Sequence, residues 1–134
     1  MSAPGARPVA RGVAAVLAGL AVIVVLSLGT DAVLHATGVF PGWGHPMGDG
    51  LFVLATAYRS LYAVAGCALA ARLAPDRPLL HALALGALGV VVSTVGAVST
   101  WSAGPEFGPH WYPLTLIATS LPLAWLGGTL PRSP

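Results

Sequence analysis

The chain has 134 residues, of which 56% are hydrophobic and only 7% charged, and its formal net charge is +2. A soluble domain carries roughly 25% charged residues, so too few charges are available here to cover a water-facing surface. The six arginines stand singly along the chain, which excludes a basic nucleic-acid-binding stripe.

The length is that of one domain, read here as a single transmembrane domain over residues 1–134. Lys is absent, and Ala, Gly and Pro are abundant, a composition that suggests a GC-rich bacterial source. The lone cysteine, Cys67, excludes an intrachain disulfide. It stands in an apolar run, where a thiol is usually a small packing residue.

Four apolar runs follow one another, each near the ~20 residues that a helix needs to span a bilayer. The first covers about residues 12–37. Arg7 and Arg11 precede it, as in a signal peptide, but its apolar core exceeds the ~7–15 residues of a signal h-region and no small-x-small site follows. It is therefore expected to be retained as a helix. The second run covers about 51–73, the third 79–101 and the fourth 111–130. Gly- and Pro-rich segments at 40–50, 74–78 and 102–109 separate them. Unpaired backbone is costly in hydrocarbon, so runs this apolar should be helices.

The expected fold is all-α, an integral membrane four-helix bundle running up-down-up-down. Arg7, Arg11, Arg72, Arg77 and Arg132 fall on one side of such a bundle, and the two loops on the other side have no Arg or Lys. The positive-inside rule then puts both termini in the cytoplasm and the chain in the inner membrane as a multi-pass protein. Trp43, Trp101, Trp111 and Tyr112 would gather at the outer interface. The apolar 38–50 segment would lie over the outer mouth of the bundle.

In the third run Ala82, Gly86, Gly89, Ser93, Gly96 and Thr100 form a small-residue stripe, the kind that lets helices approach closely in lipid. LFVLAT at 51–56 and LTLIAT at 114–119 match at an offset of 63, which is compatible with two duplicated hairpins or with chance in a sequence this apolar.

The sixth arginine breaks the pattern. Arg59 falls within the second run, about 12 Å from its outer end. A mid-helix Arg costs ~2.5–3.5 kcal/mol to insert, so it should face the bundle and be paired. Its side chain leans toward the helix N-terminus, the outer end. Asp31, Asp49 and Glu106 are the acids on that side. Asp31 is the first choice because it lies near a helix C-terminus, where the dipole disfavours its charge. His35 shares a face with Asp31, and Tyr58 and Tyr62 flank Arg59.

This cluster of Arg59, Asp31, His35, Glu106, Tyr62 and Asp49 has two readings. One is structural: a pair fixing helix register, with Asp49 and Asp76 as N-caps. The other is a ligand or ion site. His35, His45 and His110 with these acids would be the ligands of a metal site, but no tight ligand spacing supports one. His81, at the inner start of the third run, is interfacial. No catalytic residue is indicated, because no nucleophile elbow and no phosphate-binding glycine loop is present. No cofactor is expected.

The strings TGVFPGWG, DGLFVLATAYRSLYAVAG, ARLAPDRP, GPEFGPHWYPL and AWLGG resemble those of a group of small uncharacterised bacterial membrane proteins. The resemblance runs from about Asp31 to Leu130. It implies a four-span inner-membrane protein and no activity, substrate or cofactor. The first functional expectation is a non-catalytic bundle that acts through a membrane partner protein or as a homo-oligomer, with the lipid bilayer as its medium. The alternative is a transporter or a protein binding an ion or small ligand through the Arg59 cluster.

Overall fold

A computed structural model describes residues 6–42, 47–104 and 108–130 of the chain. Four helices make up this part: α1 (Ala6–Ala36), α2 (Asp49–Leu73), α3 (Pro78–Thr100) and α4 (Trp111–Thr129). The helix α1 starts about two turns before its apolar run, because nothing in the polar first turns stops helical propagation. Pro8 falls in the first turn, where its missing N–H is no loss.

Pro8–Ala36, α2 and α3 are each long and apolar enough to cross a membrane. With 19 residues, among them Trp111, Tyr112, Pro113 and Pro122, α4 falls short of that measure. Pro122 also has no N–H for the carbonyl of Ala118, one turn earlier.

The helix ends follow from local chemistry. Gly38 adopts φ +81° just past α1, a left-handed conformation that glycine reaches without strain. It lets the Phe40 N–H donate back to the Leu34 carbonyl at 3.0 Å, and Phe40 is buried. The expected N-caps are corrected by one residue. Gly48 caps α2 and Arg77 caps α3, neither with a side-chain bond. Pro78 takes the first position of α3, which Pro favours, so the capping place moves past Asp76. Asp49 instead stands inside the first turn of α2, where its charge suits the helix dipole.

The pairs α1–α2 and α3–α4 run antiparallel, as contacts of rising against falling residue number record: Gly19 with Ala70 and Ile23 with Gly66, then Ala82 with Gly128 and Gly89 with Ser120. Both α2 and α3 contact all three other helices, whereas α1 touches α2 closely and α3 only lightly. The end where α1 begins, α2 meets α3 and α4 finishes is termed proximal, and the opposite end distal.

The proximal half is held by small residues. A Cβ on Gly66 would lie 2.6 Å from the Gly19 carbonyl oxygen, and one on Gly127 would lie 2.6 Å from the Val64 carbonyl oxygen. Cys67, Ala70, Ala71, Ala82, Leu85 and Ala124 form the core there, and among the described residues Leu85 is the one large side chain that is fully buried. Larger apolar residues such as Val25, Leu61, Val91 and Leu121 point outward. This inverts a soluble bundle. In lipid no hydrophobic force drives helices together, and packing of small residues does so instead.

Candidate polar cluster and cavity

Asp31 lies five residues before the end of α1, and Arg59 lies ten residues into antiparallel α2. Arg59 pairs with Asp31 through its terminal guanidinium nitrogen, and the Tyr58 hydroxyl donates to the other Asp31 carboxylate oxygen. The Arg59 and Asp31 side chains are only 26% and 14% exposed, so the pair is largely removed from surrounding medium. The guanidinium carbon also stands 5.8 Å from the Tyr58 ring centre, a cation–π arrangement that further accommodates the charge. From α4, Tyr112 comes within electrostatic reach of Arg59, and its ring packs on buried Phe52 at 5.0 Å between centres.

The remaining candidates are distributed around this pair. The Tyr62 hydroxyl bonds Thr30 at 2.7 Å, and its ring lies 5.9 Å from that of Tyr58. His35 donates from Nδ1 to the Pro41 carbonyl at 2.8 Å and packs edge-on against Phe40, so it fastens the chain leaving α1. Asp49 stands ten residues before Arg59 in α2, about 15 Å along the helix, too far for contact. Glu106 and His45 lie outside the described residues. His110 donates from Nε2 to the Trp101 carbonyl at 2.8 Å and stacks on the Trp101 ring at 3.7 Å, which closes the α3–α4 connection. His81 bonds the Arg77 carbonyl at the start of α3. Among the described residues no three His, Cys, Asp or Glu side chains converge as a metal site would require.

Directly proximal to the pair is a cavity of about 300 Å³ bounded by all four helices. Its walls are mainly apolar, with Leu20, Ile23, Leu85, Leu116 and Leu123 facing inward, and Ser27, Arg59, Ser60, Ser93 and Ser120 contribute polar groups. The space arises because every helix presents a small residue at this level: Ser27, Ala63, Gly89 and Ser120.

Two buried side-chain atoms in the described residues have no hydrogen-bond partner, Ser27 Oγ and Arg59 Nε. Both belong to residues lining the cavity. Ser27 is 4% exposed. Helical hydroxyls elsewhere settle on the carbonyl one turn back, as Thr56, Thr94, Thr119 and Ser120 do. Ser27 does not. A buried donor left unpaired costs about 1–3 kcal/mol, and both atoms are sealed within the packing at the edge of the cavity.

Ser27, Ser60 and Ser120 were not singled out from the sequence, and Ser93 entered only as part of the small-residue stripe of the third run. The available signal was small polar residues at one depth in all four runs. Compared with known protein families, with characterised proteins and with solved structures, the chain matches none.

Proposed function

We propose that this chain is a four-span protein of a bacterial inner membrane with both termini in the cytoplasm, and that its bundle binds a small molecule beside Arg59 without catalysing a reaction. Three apolar helices and the outward-facing Val and Leu side chains support the membrane setting. Packed along both α2 and α3, α4 would cross with them. The proximal position of Arg11, Arg72 and Arg77 supports the orientation.

The observation that carries the binding role is the cavity that Arg59 lines beside its ion pair with Asp31. A purely architectural ion pair has no need of such a space. The test is a ligand-stabilisation screen on purified protein, comparing the native chain with Arg59→Ala and with Ala63→Phe, which occludes the cavity. Compounds that raise the Tm of the native chain and of neither variant are expected. A screen in which all three proteins respond alike would remove the reading. Orientation is tested separately by labelling single cysteines in a Cys67→Ala background, and reactivity at position 76 from outside the cell would reverse it.

A second reading, assembly with another copy or a membrane partner, is favoured by α3. Gly96 has no neighbour within 4 Å, and Val95 and Val98 beside it are exposed. Crosslinking through Gly96→Cys in membranes tests it, and a purely monomeric product would remove it.

A further inference from the structure

We infer that the groove between α1 and α3 at the proximal end seats one phospholipid whose head carries a phosphate and a primary ammonium, the phosphate meeting Arg77 and the ammonium meeting Asp76. This rests on the membrane setting proposed above and is independent of any ligand beside Arg59.

The groove follows from how the bundle closes. The pairs α1–α2, α2–α4 and α3–α4 pack closely, whereas α1 meets α3 only lightly. Those two helices touch at two glycines: a Cβ on Gly12 would lie 2.5 Å from His81 Nε2, and one on Gly19 would lie 2.7 Å from Leu85 Cδ2. Against this seam lies a groove of about 530 Å³.

Its walls are the first argument. Val9, Val13 and Leu17 of α1 and Leu80 and Leu88 of α3 line the groove and are exposed, so it opens along the flank of the bundle. The lining runs from Pro8 to Leu17 on one side and from Arg77 to Leu88 on the other. At ~1.5 Å per residue these stretches are about 14 and 16 Å long. One leaflet is half of a ~30 Å hydrocarbon core, so the groove matches the depth of a single leaflet.

The rim is the second argument. The charged residues of the lining, Asp76 and Arg77, both stand at the proximal end, where a lipid head would be. Both are exposed, and neither side chain has an ion pair or hydrogen bond among the described residues. His81 is already engaged, with Nδ1 donating to the Arg77 carbonyl at 3.0 Å and Nε2 facing Gly12. One cation and one anion side by side select against a purely anionic head, which would gain from Arg77 and lose against Asp76. A head with both charges satisfies both. A primary ammonium also donates hydrogen bonds to a carboxylate, which a trimethylated one cannot.

The test uses the full chain in nonionic detergent and measures retained lipid by native mass spectrometry. Three dioleoyl lipids differ only in the head: phosphatidylethanolamine, phosphatidylcholine and phosphatidylglycerol. The ethanolamine lipid is expected to bind about fivefold more tightly than the choline lipid, the effect of one hydrogen bond. Asp76→Asn is expected to remove that preference. Arg77→Asn, chosen because Asn tolerates the left-handed φ of +43° at this position, is expected to weaken both lipids. Val13→Trp and Leu80→Trp, at exposed positions on the two walls, should lower retention of all three, whereas Ala63→Phe in the other cavity should leave it unchanged. Equal binding of the three heads, tightest binding of the glycerol lipid, or undiminished retention in both tryptophan variants would overturn the inference. A chain that stays monomeric in buffer without detergent would instead remove the membrane setting beneath it.

Discussion

The proximal and distal halves of this bundle are built from the same small residues and arrive at opposite results. In the proximal half Gly66, Gly127 and Gly128 each face backbone or a methyl group at distances that leave no room for a side chain. In the distal half Ser27, Ala63 and Ser93 border open space. A small residue permits close approach without enforcing it. Contact follows where a small residue meets backbone on the next helix. Where four helices all offer small residues at one level, a void is left. The polar cluster lies at the distal border of that void, so the one ion pair among the described residues is placed beside empty volume.

The largest effect that would test this contrast concerns the ion pair. Arg59→Met or Asp31→Leu alone should destabilise the protein by about 3–5 kcal/mol, because each leaves a charge unpaired away from water. The double variant should lose far less. Unfolding in detergent measures the cycle, and simply additive losses would mean that the two side chains do not interact.

Next in size is a pair of substitutions to valine. Gly66→Val should cost about 1–3 kcal/mol, since the Gly19 backbone cannot yield. Ala63→Val, pointing into the void one turn away, should be neutral or mildly stabilising. Equal losses at both positions would erase the distinction between the halves.

A smaller effect is expected at the orphaned hydroxyl. In the absence of ligand, Ser27→Ala should stabilise the protein by about 1 kcal/mol, because it removes a buried group with no partner. Ser120→Ala, whose hydroxyl already donates to the Leu116 carbonyl at 2.6 Å, should not. The smallest effect belongs to the open face of α3. Gly96→Ala meets nothing within 4 Å and should gain about 0.5–1 kcal/mol from reduced backbone freedom, as read by the same unfolding measurement. A loss there would indicate a neighbour pressed against this glycine.

Much of this was legible in the residues. Apolar runs bounded by Gly and Pro locate all four helices, because span length and breaker residues are local properties. Asp31 and Arg59 could be matched because both lie at similar depths from one end of an antiparallel hairpin, and depth is simply residue count multiplied by helical rise. His35 was less legible. It shares a face with Asp31, but the chain reversal at Gly38 brings the Pro41 carbonyl to it, and a reversal of that kind depends on loop conformation. The Asp76 cap failed because Pro78 fixes the start of α3 more strongly than a capping side chain does.

The sequence by itself determined an all-helical chain too apolar for a water-covered surface, with one arginine deep in a span that had to find an acid. These features rest on composition, on spacing along one helix and on the cost of an unpaired charge, none of which requires knowing how the helices turn toward one another. Only the tertiary structure decided that the small-residue stripe of α3 would press on α4 at Gly86 and Gly89 while Gly86, Gly89 and Ser93 also border a cavity. The rotation and separation of four helices fix whether small residues meet a backbone or a gap, and that information is shared among all four helices.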